Sequence, residues 1–333
     1  MSLKANSCEG KDGSLRMMSE PIIEVRDLYK SYGHTQALEG LSFEVLRGEF
    51  FGLLGPNGAG KTTTIAILCG LLEPTSGKIL IDGQDFSSHS KALKTKLGVV
   101  PQDFAFYPTL SGHDNLLFFG RIYGLWGRRL EERVHAVLNI VQLMDHSKEL
   151  VKTFSNGMKR RLNIAIGLLH EPEILILDEP TVGVDAQSRN AILESLQALN
   201  RAGVTLLYTT HYMEEAQRLC HRVGIIDQGR IIALDTPMAL MQGLGEGLIR
   251  IELNRPADEM LLKEFGQKGS IKIVDDEGRK LHLTVTSKER ALKELLDHLE
   301  KRNIQIETLD VLGSNLETVF LHLTGRHLRD SLV

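Results

Sequence analysis

The sequence predicts an α/β fold: a mainly parallel sheet with an antiparallel β subdomain and a helical insert, followed by a small C-terminal α+β domain. Three observations predict it. Short apolar strands alternate with helices between residues 21 and 242, which is typical of a parallel sheet covered on both faces. The stretch from about 104 to 169 has helical periodicity. After residue 243 the pattern restarts in the order βαββαβ, which predicts a ferredoxin-like domain.

The first elements are strands in which apolar and polar residues alternate. The alternation places Ile23 and Val25 on one face of a first strand, and Leu41, Phe43 and Val45 on one face of a second. A third such strand, KILIDG, closes on an Asp-Gly turn. These segments predict an antiparallel flap on the main sheet.

Buried strands are predicted where short apolar segments end at a glycine or a polar residue. These segments are EFFGLLG, LGVVPQ, EILILDE and VTLLYTTH, and the later hairpin RVGIIDQGRIIAL turns at Asp227–Arg230. The helical segment KTTTIAILCGLL follows the first of them and stops before Glu73 and Pro74. Together they predict the mainly parallel sheet.

The pattern divides the chain into a leader, two domains and a tail. The C-terminal strands are LIRIEL, SIKIVD, KLHLTV and IQIETLDVL, with one helix in ADEMLLKEFG and another opened by Ser287. The polar N-terminus lacks the apolar core of a signal peptide, so we expect a disordered leader. The predicted division is a leader 1–20, a larger α/β domain 21–242 with its helical subdomain at about 104–169, an accessory domain 243–326 and a tail 327–333.

Composition excludes several classes of protein. The 333 residues are 42% hydrophobic with a formal net charge of −4, which argues for packed cores and against nucleic acid as the main partner. Cys8, Cys69 and Cys220 are scattered, without metal-ligand spacing or a disulfide framework, which is typical of a reducing cytosol. No apolar run reaches the roughly 18 residues of a membrane helix, so any membrane role would depend on a partner.

The segment Gly55–Thr62 fits the phosphate-loop pattern GxxxxGK[ST]. Its glycines let consecutive backbone N–H groups turn toward one anion, which a Cβ would obstruct. We expect Lys61 to reach the terminal phosphates of a nucleotide and the Thr62 hydroxyl to ligate Mg²⁺. The alternative is a glycine-rich turn without a ligand, but the buried strand before it and the helix after it favour the phosphate loop.

A second phosphate element is predicted at the end of the strand Ile174–Leu177. The strand delivers Asp178 and Glu179 to the carboxyl edge of the sheet, where open α/β folds bind ligands. There Asp178 would hold Mg²⁺ and Glu179 would polarise an attacking water. Acidic residues end many strands, so the interpretation depends on the phosphate loop.

With the residues around them, these motifs resemble the nucleotide-binding subunits of ATP-binding-cassette (ABC) transporters, over roughly Ile22–Met241. The resemblance implies a P-loop NTPase fold and an ATPase that uses ATP and Mg²⁺. It implies an adenine-stacking role for Tyr32, a contact of Gln102 with Mg²⁺ and water, and a contact of His211 with the γ-phosphate. The implied ATP-binding set is Tyr32, Gly55, Pro56, Asn57, Gly58, Ala59, Gly60, Lys61, Thr62, Thr63, Ser155, Gly157 and Asp185.

The family's signature position is occupied by Phe154–Met158, where the family pattern is close to LSGGQ. The resemblance implies that Ser155 and Gly157 bind the γ-phosphate of ATP held by a second subunit, and that Asp185 crosses the dimer interface. An ordinary helix N-cap at Ser155 is the alternative. Asn156 departs from glycine; if the backbone is left-handed there, asparagine is the best tolerated substitute.

The three basic residues 159–161 follow in the first turn of the signature helix, an unfavourable site for cations. We interpret them as a solvated basic face, ahead of attraction to a triphosphate.

Within this family, the chain resembles the branch of exporter ATPases that are encoded separately from their permease. This resemblance implies a membrane permease partner, a homodimer or heterodimer of ATPase subunits, and a cytoplasmic location at the inner face of the membrane. Force would pass through the segment near Gln102 to Leu116. Two alternatives stay open: an importer ATPase with a regulatory C-terminal domain, and a soluble ABC ATPase without a transport role. For the C-terminal domain, a role in dimerisation or stability is favoured over a role in ligand sensing.

Overall fold

The computed structural model of the protein describes residues 20–257, 262, 270–273, 278–285 and 287–325. Within this part of the chain, no helix is both long and apolar enough to cross a membrane. The predicted leader up to residue 19, most of the helix predicted in 257–266, the turn at 276–277 and the tail 327–333 lie outside the described residues.

In the described residues the strands form three sheets, of which the first is antiparallel. It consists of β1 (Pro21–Tyr32), β2 (Thr35–Leu46), β4 (Ser76–Ile81) and β5 (Gln84–Asp85), in the order β2-β1-β4-β5. Val25 pairs with Phe43 across β1 and β2, and both side chains are buried. The alternation read in the sequence is therefore the face that packs on the core, and the predicted flap is confirmed.

The second sheet is the mainly parallel one. It consists of β3 (Phe50–Leu54), β6 (Leu97–Val100), β7 (Ile174–Asp178), β8 (Thr205–Thr210), β9 (Arg222–Asp227) and β10 (Arg230–Asp235), in the order β10-β9-β3-β8-β7-β6. All neighbours run parallel except β9 and β10, the predicted hairpin. Because β3, β8 and β7 are adjacent, their carboxyl ends meet at one edge, the place where such sheets bind ligands.

Helices cover this sheet and build the insert. The α-helices of the described residues, including those outside this sheet, are α1 (Lys61–Leu68), α2 (Phe86–Lys94), α3 (Gly112–Ile122), α4 (Gly127–Ile140), α5 (Asn156–Leu168), α6 (Ala186–Arg201), α7 (Met213–Leu219), α8 (Pro237–Gln242), α9 (Lys288–Lys301) and α10 (Leu316–Thr324). The insert consists of α3, α4 and α5. Its apolar stripes bury Leu116, Leu130, Val134 and Leu162 in one cluster, as the helical periodicity predicts.

The insert differs from the prediction at its start, because residues 104–111 are irregular and α3 begins only at Gly112. Pro108 disfavours helical backbone in the residue before it, and Ser111 caps α3 by accepting a backbone amide hydrogen bond at 3.0 Å. The Asn115 carboxamide accepts from the Tyr107 amide at 2.8 Å and donates to its carbonyl at 3.0 Å. These bonds hold the segment as a loop against α3.

The third sheet consists of β11 (Gly247–Leu253), β12 (Ser270–Ile273), β13 (Lys280–Val285) and β14 (Ile306–Gly313). The order β12-β13-β11-β14 with antiparallel neighbours is that of a ferredoxin-like sheet. Helix α9 covers one face, where Leu295 and Leu299 pack in a cluster with Ile249 and Ile251.

The last helix does not pack with this third sheet's cluster. Leu316, Val319 and Phe320 of α10 lie in the large buried cluster of the mainly parallel sheet, together with Leu219 and Leu244. The chain therefore returns to the core of the mainly parallel sheet after completing the C-terminal sheet.

Candidate functional site

The predicted phosphate loop connects β3 to α1. Gly60 caps α1 with φ +109°, a conformation that residues with a Cβ rarely adopt. A Cβ at this position would also lie 2.9 Å from the Ala37 carbonyl oxygen. Since α1 begins at Lys61, its unpaired N-terminal N–H groups and positive dipole end lie at the loop. The loop can therefore bind an anion such as a phosphate group.

Lys61 is buried at this loop, with 4% of its surface exposed. Its ammonium donates hydrogen bonds to the carbonyl oxygens of Gly55 at 2.8 Å and Pro56 at 3.0 Å. The ammonium also lies 3.2 Å from the Glu179 carboxylate. The cation is thus held at the centre of the loop, within reach of any phosphate that enters it.

Asp178 ends β7 beside this loop and is 4% exposed. The hydroxyl of Thr209, on the neighbouring strand, donates to its carboxylate at 2.7 Å. Burial raises the pKa of Asp178 above its ordinary value, against the lowering effect of hydrogen bonds from Thr209 and Thr62. Thr209 was not singled out by sequence reasoning, because only the strand pairing places it opposite Asp178.

Glu179 and His211 face each other at the ends of β7 and β8. Nδ1 of His211 lies 3.1 Å from a Glu179 oxygen; an ionised carboxylate only accepts, so this nitrogen donates and the ring can present Nε2 to a ligand. Burial raises the pKa of Glu179, but the hydrogen bond from His211 and the charge of Lys61 outweigh it, and the pKa lies below its ordinary value. Glu179 is thus an ionised base at neutral pH.

The Asp178→Asn variant is expected to unfold at a higher temperature than the wild type in the absence of nucleotide. The folded-state pKa of Asp178 lies above the unfolded value, so ionisation of this carboxyl costs stability as the pH rises. Asparagine removes that charge, so we expect Tm at pH 7 to rise. Thermal unfolding of this variant beside Asp145→Asn, an exposed control, checks it. A Tm below that of the wild type would contradict it.

Gln102 lines the cleft at the loop, and its segment is held by α5. The Arg160 guanidinium donates to the carbonyl oxygens of Pro101 at 3.0 Å and Gln102 at 2.8 Å, and Asn163 donates to Pro101 at 3.1 Å. Arg160 is buried and lies over the Phe104 ring. Arg160 and Asn163 were not identified from the sequence as residues that hold this segment. For Arg160 there was a signal, because a cation in the first turn of a helix is unfavourable.

The interpretation of residues 159–161 as a solvated basic face is therefore wrong for Arg160. It also fails for Arg161, which is half-buried and donates to the carbonyl oxygens of Val141 at 3.1 Å and Gln142 at 2.9 Å. Both guanidinium groups donate hydrogen bonds to backbone carbonyl oxygens of loops, and these bonds form only in the tertiary structure.

A cleft of about 150 Å³ lies at the centre of these groups. The cleft brings the predicted phosphate loop together with Gln102 and Glu179. Its lining residues are Ala37, Asn57, Gly58, Gly60, Lys61, Thr62, Thr63, Gln102 and Glu179.

Ser155, Gly157 and Asp185 form a second group outside this cleft. Ser155 is the N-cap of α5 and accepts from the Met158 amide at 3.2 Å, as the capping alternative predicts. Asp185 caps α6 by accepting from the Ser188 amide at 2.9 Å. The two helix starts touch, since a Cβ on Gly157 would lie 2.3 Å from the Ser188 side chain. One chain therefore carries two separate groups of predicted phosphate-binding residues.

Asn156 is the first residue of α5 and is not among the described residues with positive φ. The left-handed backbone considered for this position is therefore absent here. Its side chain is exposed and donates to the Gly183 carbonyl at 3.5 Å.

Tyr32 lies at the end of β1, apart from the cleft lining. It is 51% exposed, and the Lys30 ammonium lies 5.3 Å from the centre of its ring. An open ring face of this kind can stack on a planar heterocycle.

Comparisons with known proteins identify relatives of this chain. The family model described as ABC transporter matches residues 38–182. The linearmycin resistance ATP-binding protein LnrL of Bacillus subtilis (strain 168) is 42% identical over 312 residues, 93% of this chain and 100% of that protein. The daunorubicin resistance ATP-binding protein DrrA3 of Streptomyces coeruleorubidus is 37% identical over 316 residues, 92% and 97% of the two chains.

A similar solved structure is the dimeric structure of MJ0796, a bacterial ABC transporter cassette. It superposes with a TM-score of 0.59 at 25% identity, covering 64% of this chain and 98% of the other.

Proposed function

Since the chain belongs to the ABC transporter family as an ATP-binding and ATP-hydrolysing subunit, we propose that it powers export of a small molecule or ion through a separate membrane permease. The observation that carries the proposal is the convergence of Lys61, Glu179 and His211 at one sheet edge. The resistance proteins LnrL and DrrA3 support the direction of transport, because resistance is typical of efflux.

ATP binding is assigned to the phosphate loop. The N-terminal amides of α1 and the Lys61 ammonium would hold the β- and γ-phosphates. Tyr32 would stack on the adenine, for which its exposed ring is suited. The remaining loop residues of the cleft, Asn57 to Thr63, would enclose the triphosphate.

Mg²⁺ fits the oxygen groups beside the loop. Thr62 and Asp178 are hydrogen-bonded to each other, and Gln102 lines the same cleft. Oxygen ligands suit this hard cation, and the buried Asp178 carboxylate would gain a compensating charge. When bound, the cation would neutralise phosphate charge; Thr62, Gln102 and Asp178 would hold it.

Hydrolysis would use Glu179 as the base that orients and deprotonates the attacking water. Its pKa below the ordinary value keeps it able to accept a proton at neutral pH. His211 would hold Glu179 through Nδ1 and contact the γ-phosphate through its other nitrogen. Lys61 would stabilise the charge that develops on the transferred phosphoryl group.

The separation of the two groups of predicted phosphate-binding residues supports a dimer. In each of two sites, one subunit would supply the phosphate loop, and the other would supply Ser155, Gly157 and Asp185. Because neither half alone compensates the triphosphate charge, closure would require ATP, and hydrolysis would remove contacts and reopen the pair. Homodimer and heterodimer fit this arrangement equally.

Asn156→Gly is expected to strengthen ATP-dependent dimerisation. The exposed Asn156 side chain lies at the start of α5, where close approach to phosphate is needed. Its removal should lower the dimer dissociation constant by about fivefold, roughly 1 kcal/mol. Analytical ultracentrifugation in saturating ATP measures the constant, with Asn156→Ala as the matched variant that keeps the Cβ. An unchanged constant in both would show that Asn156 is neutral.

The permease would dock on the helical insert around the segment from Gln102 to Leu116. Phe104, Tyr107 and Phe118 are exposed there; Phe104 stacks on Phe106, and Tyr107 and Phe118 meet edge to face. The subunit would then lie at the inner face of the membrane as a peripheral protein. Residues 21–242 would form the ATPase domain and 243–326 an accessory domain for dimerisation or stability, whose last helix returns to the ATPase core.

Two experiments test the proposal. Co-purification of the chain with an integral membrane protein separates it from a soluble ABC ATPase, and recovery of the chain alone would argue against a transport role. Transport by the reconstituted complex in vesicles of known orientation separates export from import. Accumulation on the side that carries the ATPase would identify an importer, and the C-terminal domain would then be examined as its regulator.

A further inference from the structure

Glu215, in α7, is a buried carboxylate that the proposed reaction does not use directly. It is 5% exposed, although it lies only four residues after His211. A carboxylate in such a position requires hydrogen bonds or a cation to offset its lost hydration. The groups that bind this carboxylate therefore show which chain segments it holds together.

One Glu215 oxygen, Oε2, accepts hydrogen bonds from three hydroxyl groups. The donors are Tyr208 at 2.5 Å, Thr181 at 3.0 Å and Thr210 at 3.2 Å. All three donors are at most 1% exposed, so water does not replace these bonds. Hydrogen bonds to an ionised acceptor are shorter and stronger than neutral ones.

The donors flank the two side chains that face the nucleotide site. Thr181 comes two residues after Glu179, and Thr210 comes directly before His211. The carboxylate of Glu215 therefore joins the chain segments that carry Glu179 and His211, whose side chains lie 3.1 Å apart. A second bond in the same place, from the Tyr212 amide to the Thr210 hydroxyl at 2.9 Å, fixes the turn that contains His211.

The other oxygen, Oε1, forms an ion pair with a residue of α6. It lies 3.6 Å from the Arg189 Nε, and Arg189 is in the first turns of α6, the helix capped by Asp185. The Arg189 guanidinium also lies over the Tyr212 ring at 4.7 Å, and that ring is 4.2 Å from the His211 ring. The charge of Glu215 is thus balanced by a cation that contacts both the start of α6 and the neighbour of His211.

We propose that Glu215 is a positioning residue for ATP hydrolysis: its carboxylate ties the segments of Glu179, His211 and the start of α6 into one geometry. The inference rests on the proposed roles of Glu179 and His211. In a neutral variant the three buried hydroxyl donors keep only an uncharged, weaker acceptor and Arg189 loses its ion-pair partner, so the link between the two segments loosens. A displacement of about 1 Å in a reacting group can reduce the rate by about 100-fold.

Glu215→Gln in the full-length chain tests this role. We expect kcat for ATP hydrolysis to fall by about 10- to 100-fold, while KM for ATP changes by less than about threefold, because the phosphate loop is untouched. Glu49→Gln is the matched control. Glu49 is equally buried and pairs with Arg222 at 2.7 Å, but it precedes β3 at the opposite end of the sheet from the site. The Glu49→Gln variant should have a lower Tm than the wild type and an unchanged kcat.

A second pair of variants covers the case in which Glu215→Gln does not fold. Thr181→Val removes one hydroxyl donor and Thr181→Ser retains it. We expect Val to lower kcat and Ser to restore most of it, at equal KM. A kcat within twofold of the wild type in Glu215→Gln, or in Thr181→Val if that variant alone folds, would overturn the proposal, as would an equal loss in Glu49→Gln. A wild-type chain without ATPase activity would instead overturn the proposed function.

Discussion

Glu179→Gln is expected to bind ATP with unchanged affinity and to lose at least about 100-fold in turnover. Glutamine keeps the size of the side chain but cannot accept a proton from water. Its carboxamide oxygen can still accept the hydrogen bond that His211 now donates to the carboxylate at 3.1 Å. ATP bound but not split should hold the dimer closed, so size-exclusion chromatography in ATP should show accumulated dimers.

The control for this variant is Glu173→Gln. Glu173 lies directly before β7, at the opposite end of the strand that delivers Glu179, and it forms an exposed ion pair with Arg47 at 2.8 Å. Turnover should be normal in this control. Full turnover in Glu179→Gln would remove Glu179 from its assigned role and leave Asp178 or His211 to be tested.

Lys61→Met is expected to lower ATP affinity by about 100-fold or more, because methionine keeps the apolar stem but removes the ammonium that would bind the phosphates. Equilibrium binding of a fluorescent ATP analogue measures the loss. Lys152→Met, an exposed lysine outside the cleft, is the control and should bind normally. Wild-type affinity in Lys61→Met would contradict the phosphate-loop assignment.

The same variant has a pH-dependent effect on stability. Lys61 helps to hold the Glu179 pKa below its ordinary value of 4.5, against the effect of burial. A lowered folded-state pKa stabilises the fold above the unfolded-state value, and that contribution disappears as the pH falls through the folded-state pKa. The difference in unfolding free energy between wild type and Lys61→Met should therefore be largest above about pH 4.5 and shrink below it. Urea titrations between pH 4 and 7 measure it.

Much of the fold was predictable because local patterns carry it. The alternation of Ile23 and Val25 with Leu41 and Phe43 is the period of a half-buried strand, and it identified the antiparallel sheet. In the helical subdomain predicted at about 104–169, the first helix begins only at Gly112, because Pro108 and the Asn115 side chain favour a loop before it. The packing of α10 against the core of the mainly parallel sheet had no local signal, because the sequence of an apolar helix face does not specify the surface that covers it.

The phosphate loop and the acidic strand end of β7 were readable in the amino-acid order, whereas the role of the histidine after β8 came from the family resemblance. Their chemistry depends on neighbours along the chain: glycines that free the backbone, a lysine at the helix start, and short apolar strands that end at charge. Only the tertiary structure decided that Arg160 is buried against Gln102, that Thr209 donates to Asp178, and that Glu215 gathers three hydroxyls. These partners lie 5 to 58 residues apart. Whether such a polar side chain meets water or a buried partner depends on how the sheets and helices pack, and sequence spacing does not encode that.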